Sequence, residues 1–269
     1  MNQYKIPVVM SFAGNDPTGG AGIQADIEAI ASMGAQAAPV ITALTVQDTQ
    51  NVQRIVPTEP SLIVEQARAV LEDMPVAAFK IGLIGSVENI EVIHSILHDY
   101  PEIPVVLDPI LRAGGGTHLS GDEMQAAMRE LLFPLTTVLT PNSEEARALA
   151  AEADNLEACA QELLDGGCEL VLITGTHENS ERVENHLYGN RRLLETFTWE
   201  RLPHSYHGSG CTLASSIAGL LAQGLEPFTA IHEAQEYTWE ALKSGFRLGL
   251  GQHHPNRLFW ARSEEEETQ

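Results

Sequence analysis

The sequence predicts an α/β protein in which a mostly parallel central sheet is covered by helices on both faces. Three observations lead there. Short apolar runs of strand length alternate with helix-period segments along most of the 269 residues. Those runs are apolar at consecutive positions, as in strands buried on both faces. The apolar fraction, 43% of the chain, is carried by Ala, Leu, Ile and Val, with aromatics at only 6%, a balance suited to helices packed on a sheet.

Residues 6–12 form the first strand and end in the turn Gly14-Asn15-Asp16-Pro17. A glycine cluster from Gly19 to Gly22 feeds a helix with Ile23, Ile27, Ile30 and Met33 on one face. Residues 38–45 read as a buried strand. Pro60 opens a helix through Ile63, Ala67, Val70 and Leu71, at a position where a missing N–H costs nothing. Residues 79–84 are a strand, 87–97 a helix, and 105–107 a strand ending at Asp108-Pro109. A helix over 123–132, a strand over 137–140, helices over 143–150 and 156–164, and a strand over 170–173 continue the alternation. Residues 183–198 read as an antiparallel pair around Gly189-Asn190, before two last helices over 209–223 and 227–246. With no composition break, residues 1–262 are expected to form a single domain, and the acidic residues 263–269 a disordered tail.

With 15 basic and 37 acidic residues, the formal charge is −22. Such a field repels phosphodiester backbones and anionic lipid, which argues against nucleic-acid and membrane partners. An anionic substrate then needs a local positive site. Cys159, Cys168 and Cys211 form neither a CxxC pair nor an even disulfide framework. No secretory leader pattern or membrane-length apolar run is evident. The expected compartment is the cytoplasm.

In open sheets of this kind ligands gather beyond the carboxyl ends of the strands. One turn at that edge stands out: His207-Gly208-Ser209-Gly210-Cys211-Thr212, directly before a strongly apolar helix. Its glycines allow close backbone approach, and unpaired N–H groups with the helix dipole favour an anion. Cys211, in the first turn, is expected to have a lowered pKa and to serve as a base toward a hydroxyl. The same residues also describe a Ser209 N-cap, two turn glycines and a small buried thiol. Spacing alone leaves both readings open. No Walker motif and no protein-kinase signature occurs. His118, His177, His253 and His254 lack metal-ligand spacing and read as surface or loop residues; Cys159 and Cys168 read as core.

Longer stretches carry a resemblance. They are Ala13-Gly14-Asn15-Asp16-Pro17-Thr18-Gly19-Gly20-Ala21-Gly22-Ile23-Gln24-Ala25-Asp26, Ile41-Thr42-Ala43-Leu44-Thr45-Val46-Gln47, Lys80-Ile81-Gly82-Leu83 and Leu107-Asp108-Pro109. Thr140-Pro141-Asn142-Ser143-Glu144-Glu145-Ala146 and the Cys211 turn complete the set. In these the chain resembles the hydroxymethylpyrimidine/phosphomethylpyrimidine kinases of thiamine biosynthesis, a branch of the ribokinase-like superfamily, over nearly its whole length. The resemblance implies a ribokinase-like three-layer sandwich and ATP-dependent phosphorylation of 4-amino-5-hydroxymethyl-2-methylpyrimidine and then of its monophosphate. It also implies Mg2+, and a homodimer.

The resemblance assigns residues as well. Asp26 and Gln47 would hydrogen-bond the aminopyrimidine, although a mid-helix Asp26 taken alone reads as a solvated residue. Gly14 and Leu83 would contact the ring. Gly208, Ser209 and Gly210 would stabilise the transferring phosphoryl group, with Cys211 as base. Asn142 and Glu145 would organise Mg2+ and phosphates; the alternative for Asn142 is an N-cap. Asp108 would lie near metal and phosphates, or simply be a turn residue. Two departures concern the nucleotide. Arg112 is the cation in a segment whose Gly114-Gly115-Gly116 run suggests a flap, and Thr174 stands where the family often has lysine. The rival readings are a pyridoxal or pyridoxine kinase, and a non-catalytic pyrimidine-binding protein.

Overall fold

The computed structural model describes residues 6–112 and 120–261. The Gly114–Gly116 flap and the acidic tail expected from the sequence lie outside the described residues.

A nine-stranded sheet forms the middle layer. It contains β1 (Val8–Asn15), β2 (Gln36–Gln47), β3 (Val52–Pro57), β4 (Val76–Ile81) and β5 (Val105–Leu107). It continues through β6 (Val138–Leu139), β7 (Leu170–Ile173), β8 (Arg182–Gly189) and β9 (Arg192–Glu200). The spatial order is β3-β2-β1-β4-β5-β6-β7-β8-β9. The six strands from β2 to β7 in that order are parallel, and β3, β8 and β9 are antiparallel additions at the two edges. The order reverses beside β1, so crevices open at the carboxyl ends next to it.

On one face lie α1 (Gly22–Ser32), α7 (Ser209–Ala222) and α8 (Pro227–Lys243). On the other lie α2 (Pro60–Asp73), α3 (Val87–His98), α4 (Asp122–Ala127), α5 (Ser143–Leu149) and α6 (Leu156–Asp165). Strand alternation feeds two cores: Met10, Phe12, Phe79 and Ile81 pack toward α2 and α3, and Val9, Ala78 and Val106 toward α7. Burying both faces accounts for the unbroken apolar runs.

Three elements depart from the sequence expectation. The buried face of α1 carries Ile23, Ala25, Asp26, Ala29 and Ile30, while Ile27 is 41% exposed. The helix rolls toward α7 because Asp26 is drawn inward by polar partners. β3 has no counterpart among the expected strands; its residues are mostly exposed, so it lacks the apolar signature of a central strand. The helix expected over 123–132 stops being α-helical at Ala127 and continues as a π turn over Met128–Leu132, just before Pro134.

Candidate active site

Two positions beyond Val9, Ala78 and Val106, the pleat returns to the same face, so Ser11, Lys80 and Asp108 all point toward α7. All three are buried. Asp26 meets them from α1. Its carboxylate accepts hydrogen bonds from Ser11 Oγ at 2.5 Å, Lys80 Nζ at 2.8 Å and Ser215 Oγ of α7 at 2.6 Å. This corrects both expectations for Asp26. It is not solvated, and a fully buried carboxylate with three donors inside the protein is not presented to a pyrimidine ring. It works beneath the site.

Lys80 does not stand out as a functional residue in the sequence. Burial works against its charge, but Asp26, with Cys211 and Asp108 behind it, outweighs burial and keeps the ammonium protonated. The available signal is a lysine in an otherwise apolar strand, two residues before a glycine. A Cβ at Gly82 would stand 2.6 Å from Lys80 Nζ.

The turn before α7 is capped by Gly208 rather than Ser209, with φ at 84°. A Cβ there would stand 1.9 Å from the Gly20 carbonyl oxygen, so both conformation and space demand glycine. The Thr212 N–H bonds the Gly208 carbonyl at 2.9 Å. The N–H groups of Ser209, Gly210 and Cys211 precede it and have no intrahelical acceptor. Three amides at a helix start are free to meet an anion.

The thiol of Cys211 departs from expectation. Instead of being lowered by the helix start, it is pushed up to about 12 by burial; Lys80 draws it down, while Asp108 and Asp26 push it further up. The free protein therefore holds a neutral thiol. Asp108 is alongside: a Cβ on Gly210 would lie 3.6 Å from its Oδ2. Burial raises the Asp108 carboxyl above the usual range, Lys80 and the Cys211 thiol pull it back, and Asp26 adds to the rise. Its Oδ2 is buried with no hydrogen-bond partner.

Asn142 and Glu145 form a reciprocal cap on α5. Asn142 Oδ1 accepts from the amides of Glu144 at 3.0 Å and Glu145 at 2.9 Å, and Glu145 Oε2 accepts from the Asn142 amide at 3.0 Å. Glu145 Oε1 also accepts from the Leu111 amide at 3.3 Å, tying α5 to the segment after Asp108. Burial, then the charge of Asp108, raises the Glu145 carboxyl. A buried carboxyl raised by a second buried carboxylate favours a cation between the two. Among the described residues no group of three or more His, Cys, Asp or Glu is placed to hold a metal ion by itself. The partnerless Asp108 Oδ2 fits direct contact with a hard cation. Glu145, with both oxygens accepting amides, fits contact through water. Such a sparse set suits Mg2+, which keeps several of its waters.

At the acceptor end, a Cβ at Gly14 would stand 2.9 Å from Leu83 Cδ2, so the two residues touch across the end of β1. Gln47 ends β2 half-buried, and its Nε2 donates to Thr45 Oγ1 at 2.8 Å. At the other end of the turn a cavity of about 190 Å³ is lined by Thr174, Thr176, Trp199, Tyr206, Ser209 and Trp239, among others. The Trp199 and Trp239 rings stack 6.3 Å apart, a platform hidden in the sequence because its halves lie on different elements. Arg112 is exposed and stands 3.8 Å from Glu144. Thr174 pairs with Asn142 through a parallel bridge. The structure thus gathers Asp108, Asn142, Glu145 and Cys211 around the turn, with Gly14, Leu83 and Gln47 on one side.

Of the histidines read as surface or loop residues, His254 lies in the loop after α8 but is only 3% exposed, held under Gly20, and His118 lies outside the described residues. Cys159 and Cys168 are buried, as read. No helix among the described residues is long and apolar enough to cross a membrane.

Comparison with known proteins agrees with this geometry. The chain is 35% identical over 253 residues to a hydroxymethylpyrimidine/phosphomethylpyrimidine kinase of Synechococcus elongatus, covering 92% of this chain and 95% of that one. It spans about half the length of the thiamine biosynthesis bifunctional protein ThiED of Geobacter sulfurreducens, with 34% identity over 257 residues, 94% of this chain and 52% of that one. Among solved structures, a phosphomethylpyrimidine kinase of Clostridium difficile superposes with a TM-score of 0.76 at 32% identity, covering 88% and 99% of the two chains. The pyridoxal kinase of Bacillus subtilis, in an ADP complex, superposes with a TM-score of 0.88 at 27% identity, covering 96% and 100%. The family model described as phosphomethylpyrimidine kinase matches residues 16–256, most of the sandwich with Asp108, Asn142, Glu145 and Cys211, and the chain belongs to that family.

Proposed function

We propose that this protein transfers the γ-phosphoryl group of ATP to the hydroxymethyl oxygen of 4-amino-5-hydroxymethyl-2-methylpyrimidine, and then a second group to the resulting monophosphate. The observation that carries the reading is the convergence of the Gly208–Cys211 turn with a buried, partnerless Asp108 oxygen. Family membership supports the acceptor class.

The moving phosphoryl group is met by the amides of Ser209, Gly210 and Cys211, with Gly208 shaping the turn. These are fixed dipoles aimed where charge develops. Because the Cys211 thiol is neutral in the free protein, its proton must leave to solvent as the substrates bind, and the thiolate, steadied by Lys80 beneath it, then takes the proton of the substrate hydroxyl. Lys80 holds positive charge beneath Cys211 and Asp108. Gly14, Leu83 and Gln47 hold the ring. The nucleotide lies against Thr174 and the tryptophan platform, with Arg112 reaching its phosphates. Mg2+, held by Asp108 and, through water, by Glu145, would neutralise phosphate charge.

Replacing Cys211 by Ala is expected to lower kcat by a factor on the order of 10²–10⁴, with pyrimidine binding retained in calorimetry. Unchanged turnover would remove Cys211 from the mechanism. ADP release measured with Mg-ATP and each acceptor decides the activity itself, since binding without ADP release would identify a non-catalytic pyrimidine binder.

A second acceptor is favoured by one observation: the superposition on the Bacillus subtilis pyridoxal kinase has the higher TM-score, 0.88 against 0.76. Pyridoxal carries the same primary alcohol. Competition between the two alcohols for turnover ranks them.

A further inference from the structure

Residues 246–257 return across the acceptor end of the site. Phe246 and His254 exchange backbone hydrogen bonds at 3.0 and 2.8 Å, and the His207 amide donates to the His253 carbonyl at 2.8 Å. The Gln252 amide reaches the Thr49 carbonyl at 3.0 Å, next to the end of β2 that bears Gln47. The segment delivers Arg257, whose side chain is buried although its residue lies far from α7 in sequence.

The Arg257 guanidinium serves acceptors on three elements. Nε donates to Thr212 Oγ1 in the first turn of α7 at 2.8 Å. Nη2 donates to the Gly20 carbonyl, and Nη1 to the Gly19 carbonyl at 3.4 Å and Glu28 Oε2 of α1 at 3.1 Å. Thr212 Oγ1 in turn donates to the Gly208 carbonyl at 2.8 Å. There is no slack: a Cβ on Gly208 would stand 1.9 Å from the Gly20 oxygen and 2.9 Å from Arg257 Nη2. The other end of the turn is tied by His207 Nε2, 2.8 Å from Asp16 Oδ2.

We propose that Arg257 is a positioning residue for phosphoryl transfer, fixing the left-handed Gly208 cap and the first turn of α7 against the Gly19–Gly20 turn. This rests on the reading of Gly208–Cys211 as the phosphate site. Arginine is the side chain that fits, because its planar fork presents five donors in fixed directions, whereas a lysine ammonium is a point charge on a flexible stem. The backbone of the segment is held without the guanidinium. Tyr237 Oη and Ser32 Oγ both donate to the Arg257 carbonyl, at 2.6 and 2.9 Å, and Trp260 Nε1 donates to Ser32 Oγ at 3.2 Å. Changing the side chain therefore leaves the segment docked while releasing the aim of the amides.

The test compares Arg257→Lys and Thr212→Val with Trp260→Ala, a control that loosens the same segment without touching the turn. For Arg257→Lys, kcat is expected to fall roughly tenfold to a hundredfold, the cost of an ångström-scale misplacement. KM for the pyrimidine should stay unchanged, and circular dichroism should show a folded protein at the assay temperature. Thr212→Val should show the same split with a smaller loss, and keeps the proposal testable if Arg257→Lys fails to fold. Trp260→Ala should lower Tm and keep the parental kcat. A folded Arg257→Lys protein with parental kcat overturns the proposal, as does a kcat loss in all three variants that tracks Tm. Cys211→Ala assayed in parallel separates the two claims: if it is inactive while Arg257→Lys is fully active, only the role of Arg257 fails. If the parental protein itself releases no ADP with Mg-ATP and the pyrimidine, the phosphate-site reading fails.

Discussion

Beneath the anion turn, one lysine balances two buried carboxylates and a thiol. Lys80 and Asp26 are both fully buried at 2.8 Å, and neither has water to fall back on. Removing one partner of a buried pair strands the other charge, at a cost of about 3–5 kcal/mol. Lys80→Met should lower unfolding free energy by that order in urea titrations, and Lys80→Met/Asp26→Asn should recover much of it. If the double variant is no more stable than the single one, the loss does not come from a stranded charge. Asp108 and Glu145 give a pH signature. Both carboxyls are raised by burial, so the folded protein holds protons that the unfolded chain releases. Their contribution to stability is complete below the ordinary carboxylate range near ~4 and is lost as pH rises through the raised folded values. The metal-free protein should therefore lose stability on going from mildly acidic to neutral pH, and Asp108→Asn should flatten that slope in pH-resolved melts.

At the scale of elements, α7 decides how closely the layers approach. Every residue from Cys211 to Leu221 is buried. At its crossing with α1, a Cβ on Gly219 would stand 2.8 Å from Met33 Cβ. Gly219→Ala improves helix propensity yet overpacks this contact, and should destabilise the protein by about 1–3 kcal/mol; a gain in urea midpoint would show that α1 yields freely. The same elements show what is legible in the sequence. The buried strands, the antiparallel pair and α7 are readable because apolar period and turn glycines both point to them. β3 is not, because an exposed edge strand has no apolar pattern. Within the site, the glycine turn and the Asn142–Glu145 cap are readable as local motifs. Lys80, Arg257 and the Trp199–Trp239 platform are not, because their roles come from partners brought together by the sheet order. The expected direction of the Cys211 shift fails for the same reason: burial, which outweighs the helix start, is a property of the assembled layers.

Over the whole molecule, a charge of −22 confronts a nucleotide that is itself an anion. The positive features at the site are local, whereas the repulsion acts over the Debye length, about 10 Å at 0.1 M salt. Raising ionic strength from low values should therefore increase kcat/KM for Mg-ATP, the reverse of the usual steering by opposite charge. Steady-state rates at saturating pyrimidine across a chloride series check this, and a monotonic fall would show that the local site dominates capture.

The hydrogen bond between Arg257 and the Gly20 carbonyl joins residues 237 positions apart. Contacts of such separation form late, because nearly the whole intervening chain must be ordered before they close. During synthesis, at about 5–20 residues per second, the first strands and the glycine turn emerge many seconds before the segment that secures them. A ribosome-bound chain lacking only that segment would carry an almost complete sheet and an unsecured phosphate turn. The phosphate turn would thus reach its final aim only once residues 246–257 have docked.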